Sequence, residues 1–297
     1  PTYAALRDGM PQLERALIVD NAPPSQHQAG ELIEALGLTD TQHDWATRGC
    51  CAADIEQLES ALTKSECAAL RAAVDAAALQ PGAVVTYGGA AAGAAEYRDT
   101  EDSWQTEETE AAFLQLALER DSLAEIIGAE AVERLWAMAR KHAQRTAPDR
   151  KGLEELEPHN IFARRYTPFE RPWCPFHHDV SLCTVNIALS DDASHGGGRL
   201  LAVFDGRVHA LERSEGGATV HPSSLLHGVS RMTDGVRYSL ILFAGQICPH
   251  SDHSLELVDA AEMAARYPPE AGSYHCDGCG ASAVELEGAD MHHCGAG

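Results

Sequence analysis

After Pro158 the chain breaks into short runs rich in β-branched and aromatic residues, and this change of texture constrains the fold more than any other feature. The runs cover 160–166, 182–189, 199–204, 207–211, 218–221 and 236–244. Turn-forming groups such as Asp191-Asp192 and Gly196-Gly197-Gly198 separate them. Short strands this closely spaced, following a block of helices, predict an antiparallel sandwich or barrel with the helices backing it. The class is α+β, and no internal repeat is visible.

The helical block has its own signals. Thr63-Lys64-Ser65-Glu66 has capping-box spacing, in which hydroxyl and carboxylate each satisfy a free backbone N–H. The helix it starts shows Cys67, Leu70, Val74 and Ala77 on one face and stops before Pro81-Gly82. A tract of Gly and Ala at 88–95 is too small-residued to pack and reads as a loop. Two acidic amphipathic helices are expected at about 107–127 and 129–145, the second with Val132, Leu135, Trp136 and Ala139 facing inward. Upstream, only Leu32, Ile33, Leu36 and Leu38 form an amphipathic piece, after a Pro/Gln-rich linker at 22–26. The expected organisation is an N-terminal segment and linker (1–52), one main domain (53–247, helices within 63–145 and sheet within 158–245) and a tail (248–297).

The 297 residues (31.8 kDa) suffice for a buried core, and 44% hydrophobic with 23% charged residues is globular composition. No stretch approaches eighteen apolar residues, so no membrane-spanning helix is expected. The net charge of −23 repels phosphate backbones and anionic lipid, which argues against nucleic acid and membrane as partners. That charge is uneven: 161–245 holds 8 basic and 8 acidic residues, while both flanks are strongly acidic. Nine scattered Cys, an odd number, favour a reducing compartment, cytoplasmic or nuclear. The sequence opens at Pro1 rather than Met, so a removed leader is an open expectation.

Within the neutral middle, His177-His178-Asp179 stands in an extended run, where alternation puts His177 and Asp179 on one face and His178 on the other. Two such side chains can converge on one metal ion. A third ligand from a neighbouring strand completes a two-His-one-carboxylate set, which binds Fe(II) and leaves positions for a bidentate cosubstrate and O2. Spacing alone says little, because about one His-x-Asp is expected by chance in such a composition. The same spacing recurs at His250-Ser251-Asp252, after Pro249 and outside any strand pattern. Downstream of Asp179, however, Leu225-Leu226-His227-Gly228 ends one strand and a second begins at Val236. Alternation in that second strand puts Arg237 and Ser239 on one face. A buried Arg requires a carboxylate, and if the chain supplies none a ligand carboxylate is the natural partner.

Several pieces, in order and spacing, resemble the prolyl 4-hydroxylase branch of the Fe(II)/2-oxoglutarate-dependent oxygenases over roughly residues 55 to 245. They are Ala163-Arg164-Arg165-Tyr166, His177-His178-Asp179, Thr184-Val185-Asn186-Ile187-Ala188-Leu189, Gly196-Gly197-Gly198-Arg199-Leu200, Gly217-Ala218-Thr219-Val220-His221-Pro222, His227 and Arg237-Tyr238-Ser239. The resemblance implies a double-stranded β-helix (jelly roll) with supporting N-terminal helices. It implies that His177, Asp179 and His227 hold iron, that Arg237 and Ser239 clamp the distal carboxylate of 2-oxoglutarate, and that Tyr166 hydrogen-bonds in the same pocket. It further implies O2 as cosubstrate, ascorbate as auxiliary reductant, and hydroxylation of a C–H in a protein, peptide or small-molecule substrate. Asp179 fills the position that halogenases of this fold leave for chloride. The alternative from another class is a catalytically silent metal-binding jelly roll that serves as an interaction module.

Two departures stand out. His221 occupies a position usually aromatic or aliphatic in that family and is the second candidate for third ligand. The ten residues from His227 to Arg237 agree with the family, whereas the sixteen from His221 do not. The segment 168–175, with Trp173 and Cys174, is longer and richer in Pro than expected. By analogy, 88–95 and the following Tyr97 to Trp104 are candidates for a lid. In the tail, Cys276-Asp277-Gly278-Cys279 has zinc-knuckle spacing, and with Cys294 it resembles the opening of a ZZ-type zinc finger whose second Cys pair is absent. Zn(II) on Cys276, Cys279 and Cys294 is the corresponding expectation.

Overall fold

The computed structural model describes residues 3–24, 28–38, 43, 46, 50–78, 115–179, 181–246, 273–275 and 282–284. Two antiparallel sheets face each other. The larger contains β1 (Glu56–Leu58), β2 (Gln115–Leu118), β3 (Pro158–Tyr166), β5 (Ser181–Ala188), β8 (Ala218–Pro222) and β10 (Arg237–Gln246), in the order β1-β8-β5-β10-β3-β2. The smaller contains β4 (Cys174–His177), β6 (Leu200–Phe204), β7 (Arg207–Leu211) and β9 (Leu226–Val229), in the order β4-β9-β6-β7. From β3 to β10 the chain passes back and forth between the two sheets, which is the winding of a double-stranded β-helix. A separate antiparallel pair, β11 (Ser273–His275) and β12 (Ser282–Val284), lies in the tail.

Alternation along the strands of the larger sheet divides its two faces. Val185 and Ile187 of β5, Leu240 and Leu242 of β10, and Ile161 and Ala163 of β3 are buried in one cluster with the helices behind them. Those helices are α4 (Lys64–Ala78), α5 (Arg120–Ile127) and α6 (Ala129–Thr146), which contribute Leu70, Val74, Leu123, Leu135 and Trp136. The expected capping box forms at α4: Glu66 N–H donates to Thr63 Oγ1 at 3.2 Å, and Thr63 N–H donates to Glu66 Oε2 at 2.7 Å. Residues of the opposite parity, including Thr184, Asn186, Ser239 and Tyr166, point between the sheets.

One expectation is corrected here. Residues 115–118 are not the middle of a helix but strand β2, paired with β3 in the register Gln115↔Arg164 to Leu118↔Ile161. A free sheet edge offers four residues a ready hydrogen-bond ladder, and this tertiary pairing outweighs the helical preference of Gln, Leu and Ala. The helix begins only at Arg120.

The N-terminal segment covers the outer face of the smaller sheet. Its helices are α1 (Tyr3–Gly9), α2 (Gln12–Ile18) and α3 (Gln28–Leu36). Leu17, Ile18 and Leu32 are fully buried against Phe176, Leu201, Val203 and Leu226. Trp173, from the Pro-rich segment singled out in the sequence, meets the ring of Tyr3 edge-on at 4.5 Å between centroids. That segment is thus a docking place for α1. Among the described residues Cys50, Cys51, Cys67, Cys174 and Cys183 are free thiols, and no helix is long and apolar enough to cross a membrane.

Candidate active site

The smaller sheet sets His177 of β4 directly opposite His227 of β9. Their rings lie 4.4 Å apart between centroids. Phe176 and Leu226, the residues next to them, face outward into the N-terminal helices, so alternation turns both imidazoles inward. Asp179 follows β4 by two residues and projects into the same space. One ligand atom each from His177, Asp179 and His227 lies within 4.8 Å of the others. His177 Nε2 is 3.5 Å from Asp179 Oδ1, and His227 Nε2 is 3.6 Å from Asp179 Oδ2. His178 points away, with Nδ1 3.1 Å from the Ser223 carbonyl oxygen.

The tautomers are fixed by the backbone. His177 Nδ1 lies 2.9 Å from the Pro175 carbonyl oxygen and His227 Nδ1 lies 3.1 Å from that of Leu225. A carbonyl can only accept, so Nδ1 carries the proton in each ring and the Nε2 lone pairs face Asp179. Lone pairs aimed at an anionic carboxylate repel it unless a cation or proton stands between them. Burial pushes His227 down to about 3 against the pull of Asp179, which keeps it neutral. Burial would raise Asp179, but His227 and His177 hold it below the usual carboxylate range. His177 is drawn the other way: burial opposes its charge, yet Cys174 and Asp179 together raise it. Once a metal ion displaces the Nε2 proton of His177, the set is an ionised carboxylate with two fixed imidazole nitrogens, a donor set that fits Fe(II).

His221 does not join this set. It sits on β8 in register with Thr184, wholly buried, with Nδ1 3.0 Å from the Pro222 carbonyl oxygen. Its Nε2 is 3.7 Å from Asp179 Oδ2, the oxygen that also accepts the Thr184 hydroxyl at 2.7 Å. His221 therefore stands beside the carboxylate without a hydrogen bond to it, and Thr184 alone braces that oxygen.

At the other end of the cavity, Arg237 is 1% exposed. Its Nη1 donates to Ser239 Oγ at 3.0 Å, while Nε and Nη2 have no hydrogen-bond partner among the described residues. It forms no ion pair with a described acid. The guanidinium lies over the ring of Tyr166 at 4.7 Å, so Tyr166 meets it with its π face. Gly198 makes room for this arrangement: at φ +64°, an added Cβ would meet Met232 and come within 3.1 Å of Arg237 Cδ. A second guanidinium, Arg213, is buried behind Asn186, and burial and the charge of Arg237 push it down to about 9. One cavity is lined by His177, Asp179, His227, Tyr166, Asn186, Arg237 and Ser239. A larger hollow, near Leu118, Arg120 and His159, gathers no such donor set.

The sequence reading did not single out Thr184, Asn186 or Arg213. The first two carried a signal, since they interrupt an otherwise apolar strand at every second position. Arg213 lies on a loop and left none. The lid candidates at 88–104 and the zinc candidates Cys276, Cys279 and Cys294 lie outside the described residues.

Fold and cavity together define a double-stranded β-helix with a two-His-one-carboxylate cluster facing a buried guanidinium that forms no ion pair among the described residues. Among solved structures, the chain is similar to the viral collagen prolyl hydroxylase of Paramecium Bursaria Chlorella virus-1, seen as a 2OG complex, with 13% identity and TM-score 0.43 over 66% of this chain and 98% of that one. It is also similar to a Pseudomonas putida prolyl-4-hydroxylase (18% identity, TM-score 0.44, 73% and 98% covered). A third is EvdO2 from Micromonospora carbonacea var. aurantiaca complexed with 2-oxoglutarate (16%, TM-score 0.44, 71% and 94% covered). No protein-family model and no curated protein matches the chain in sequence.

Proposed function

We propose that this protein is an Fe(II)- and 2-oxoglutarate-dependent oxygenase that hydroxylates a C–H of a prolyl or other side chain in a protein or peptide. The observation that carries the reading is one cavity with two opposite chemistries. A carboxylate and two fixed imidazole nitrogens converge at one end, and a guanidinium without an acid partner among the described residues waits at the other. A 2-oxo diacid answers both.

In this reading His177, Asp179 and His227 hold the iron, and Thr184 orients the Asp179 carboxylate through its hydrogen bond. Arg237 and Ser239 receive the distal carboxylate, and the Tyr166 ring fixes the plane of the guanidinium. Burial of the whole set strengthens each of these contacts relative to water. When bound, iron and 2-oxoglutarate supply the oxidation, with one atom of O2 going to succinate as CO2 leaves and the other to the substrate C–H. The choice of a prolyl or other protein side chain rests on the motif resemblance to the prolyl 4-hydroxylase branch.

The test is direct. Anaerobic addition of Fe(II) and 2-oxoglutarate is expected to produce a weak visible charge-transfer band, and admitting air to produce succinate. A protein that shows neither is not an oxygenase of this kind. Mass spectrometry of candidate peptides for a +16 Da product then identifies the substrate.

A further inference from the structure

The cavity floor between the metal-ligand end and Arg237 carries a polar side chain to which the functional reading gives no task. Asn186 stands on β5 between Thr184, whose hydroxyl serves Asp179, and Ala188, whose register partner is Ser239. It is therefore placed midway between the two ends. Its own register partners are Ile241 and Thr219, and it is 7% exposed.

Its orientation is determined. Arg213 Nη1 donates to Asn186 Oδ1 at 2.9 Å. A guanidinium has donors only, so the amide atom that meets it must be the oxygen. The Nδ2 group, with two N–H donors, is thereby turned away from Arg213, and no described residue accepts from it. Asn186 lines the cavity, whereas Arg213 lies behind it. Arg213 is itself held in place, since its backbone N–H donates to Asp192 Oδ2 at 3.0 Å and its Nη2 stands 3.9 Å from Asp192 Oδ1. A buried cation that spends one of its donors on a neutral amide fixes that amide more firmly than solvent would.

We propose that Asn186 is a cosubstrate-binding residue that donates through Nδ2 to the 1-carboxylate of the 2-oxo acid, and that Arg213 is the positioning residue that turns its amide. The proposal rests on the oxygenase reading. With the distal carboxylate assigned to Arg237 and Ser239, the acceptors left for a donor midway along the floor are those of the metal-facing end. An anionic carboxylate is the strongest of them.

The test uses the full chain loaded with Mn(II), which does not turn over, and calorimetric titration with 2-oxoglutarate and with 2-oxobutyrate, which lacks the distal carboxylate. Asn186→Leu is expected to weaken both acids by the same factor, about tenfold, as for one hydrogen bond to a charged group. Asn186→Asp keeps an acceptor for Arg213, and so keeps the fold, but puts an anion where the donors were; it is expected to weaken both acids at least as much. Combining Asn186→Leu with Arg213→Met should add nothing to the larger single loss, because both act through one amide. Wild-type affinity in Asn186→Asp, or a loss confined to 2-oxoglutarate, overturns the proposal while leaving the oxygenase reading intact. A wild-type protein that binds neither acid overturns both.

Discussion

The two sheets divide the chemistry between them. The smaller supplies both imidazoles from short strands, four residues each in β4 and β9, while the larger supplies Arg237, Ser239, Tyr166 and Asn186 from strands of eight to ten residues. What lies behind each sheet differs as well. Two long helices, α4 and α6, with the shorter α5 and one large apolar cluster back the larger sheet, whereas three short N-terminal helices and a smaller cluster back the other. The half that carries the two imidazoles is thus the less self-sufficient one, and it borrows rigidity from residues far away in the chain. Arg231 N–H donates to the Ile18 carbonyl, and Phe176 N–H donates to Glu14 Oε1 at 2.9 Å, one residue before His177.

Breaking each half separately gives the largest effects. Asp179→Ala or His227→Ala is expected to abolish Fe(II) binding and all 2-oxoglutarate-dependent succinate release, with His221→Ala tolerated; the reverse pattern transfers the ligand role to His221. Arg237→Ala should leave Fe(II) binding intact and raise the apparent KM for 2-oxoglutarate by the equivalent of about 3–5 kcal/mol. An unchanged KM removes Arg237 from the cosubstrate pocket.

Next in size is the support of the smaller sheet. Leu17 is fully buried beneath it, so Leu17→Ala should cost about 2–5 kcal/mol in denaturant unfolding. Because the cavity forms under β4 and β9, metal affinity is expected to fall more than affinity for the distal carboxylate. An equal fall in both would show that the two halves move as one body.

The smallest effect concerns Glu14, which is buried under the same sheet. Burial raises its pKa from 4.5 to about 7, against the Phe176 N–H bond. The folded chain then holds this proton more tightly than the unfolded one. Its contribution to stability is full below about pH 4.5 and is lost as pH rises through 7, by up to about 3 kcal/mol. Glu14→Gln keeps an acceptor for Phe176 and should flatten that part of the stability profile in urea melts between pH 4.5 and 8. A profile unchanged by the substitution would mean that Glu14 gains its solvation in another way.

Legibility in the sequence follows the same division. The long strands of the larger sheet are readable because their apolar residues alternate against the helices, as Val185 and Ile187 do in β5 and Leu240 and Leu242 do in β10. The helix α4 is readable because its cap and its buried face are local features. By contrast β1, β2 and β4, at three or four residues, are too short for any period to emerge. Residues 115–118 even carry a helical preference that only pairing with β3 overrides. The N-terminal helices α1 and α2 stayed hidden because a seven-residue helix shows barely two turns of pattern, and because what makes Leu17 and Ile18 core residues is a sheet far away in the chain.

Alternation by itself placed Arg237 and Ser239 on one face of β10; for His177 and Asp179 it suggested a shared direction, although β4 ends at His177 and Asp179 lies two residues beyond it. Sequence could go that far because strand geometry has period two whatever the context. The spacing to Arg237 already favoured His227 over His221; what only the closed tertiary structure decided is that His227 lies directly across from His177, since cross-strand register is set by pairing partners and not by chain spacing. It also decided that Arg213, from a loop with no pattern of its own, ends up behind Asn186, because a buried guanidinium goes where the fold provides an oxygen to receive it.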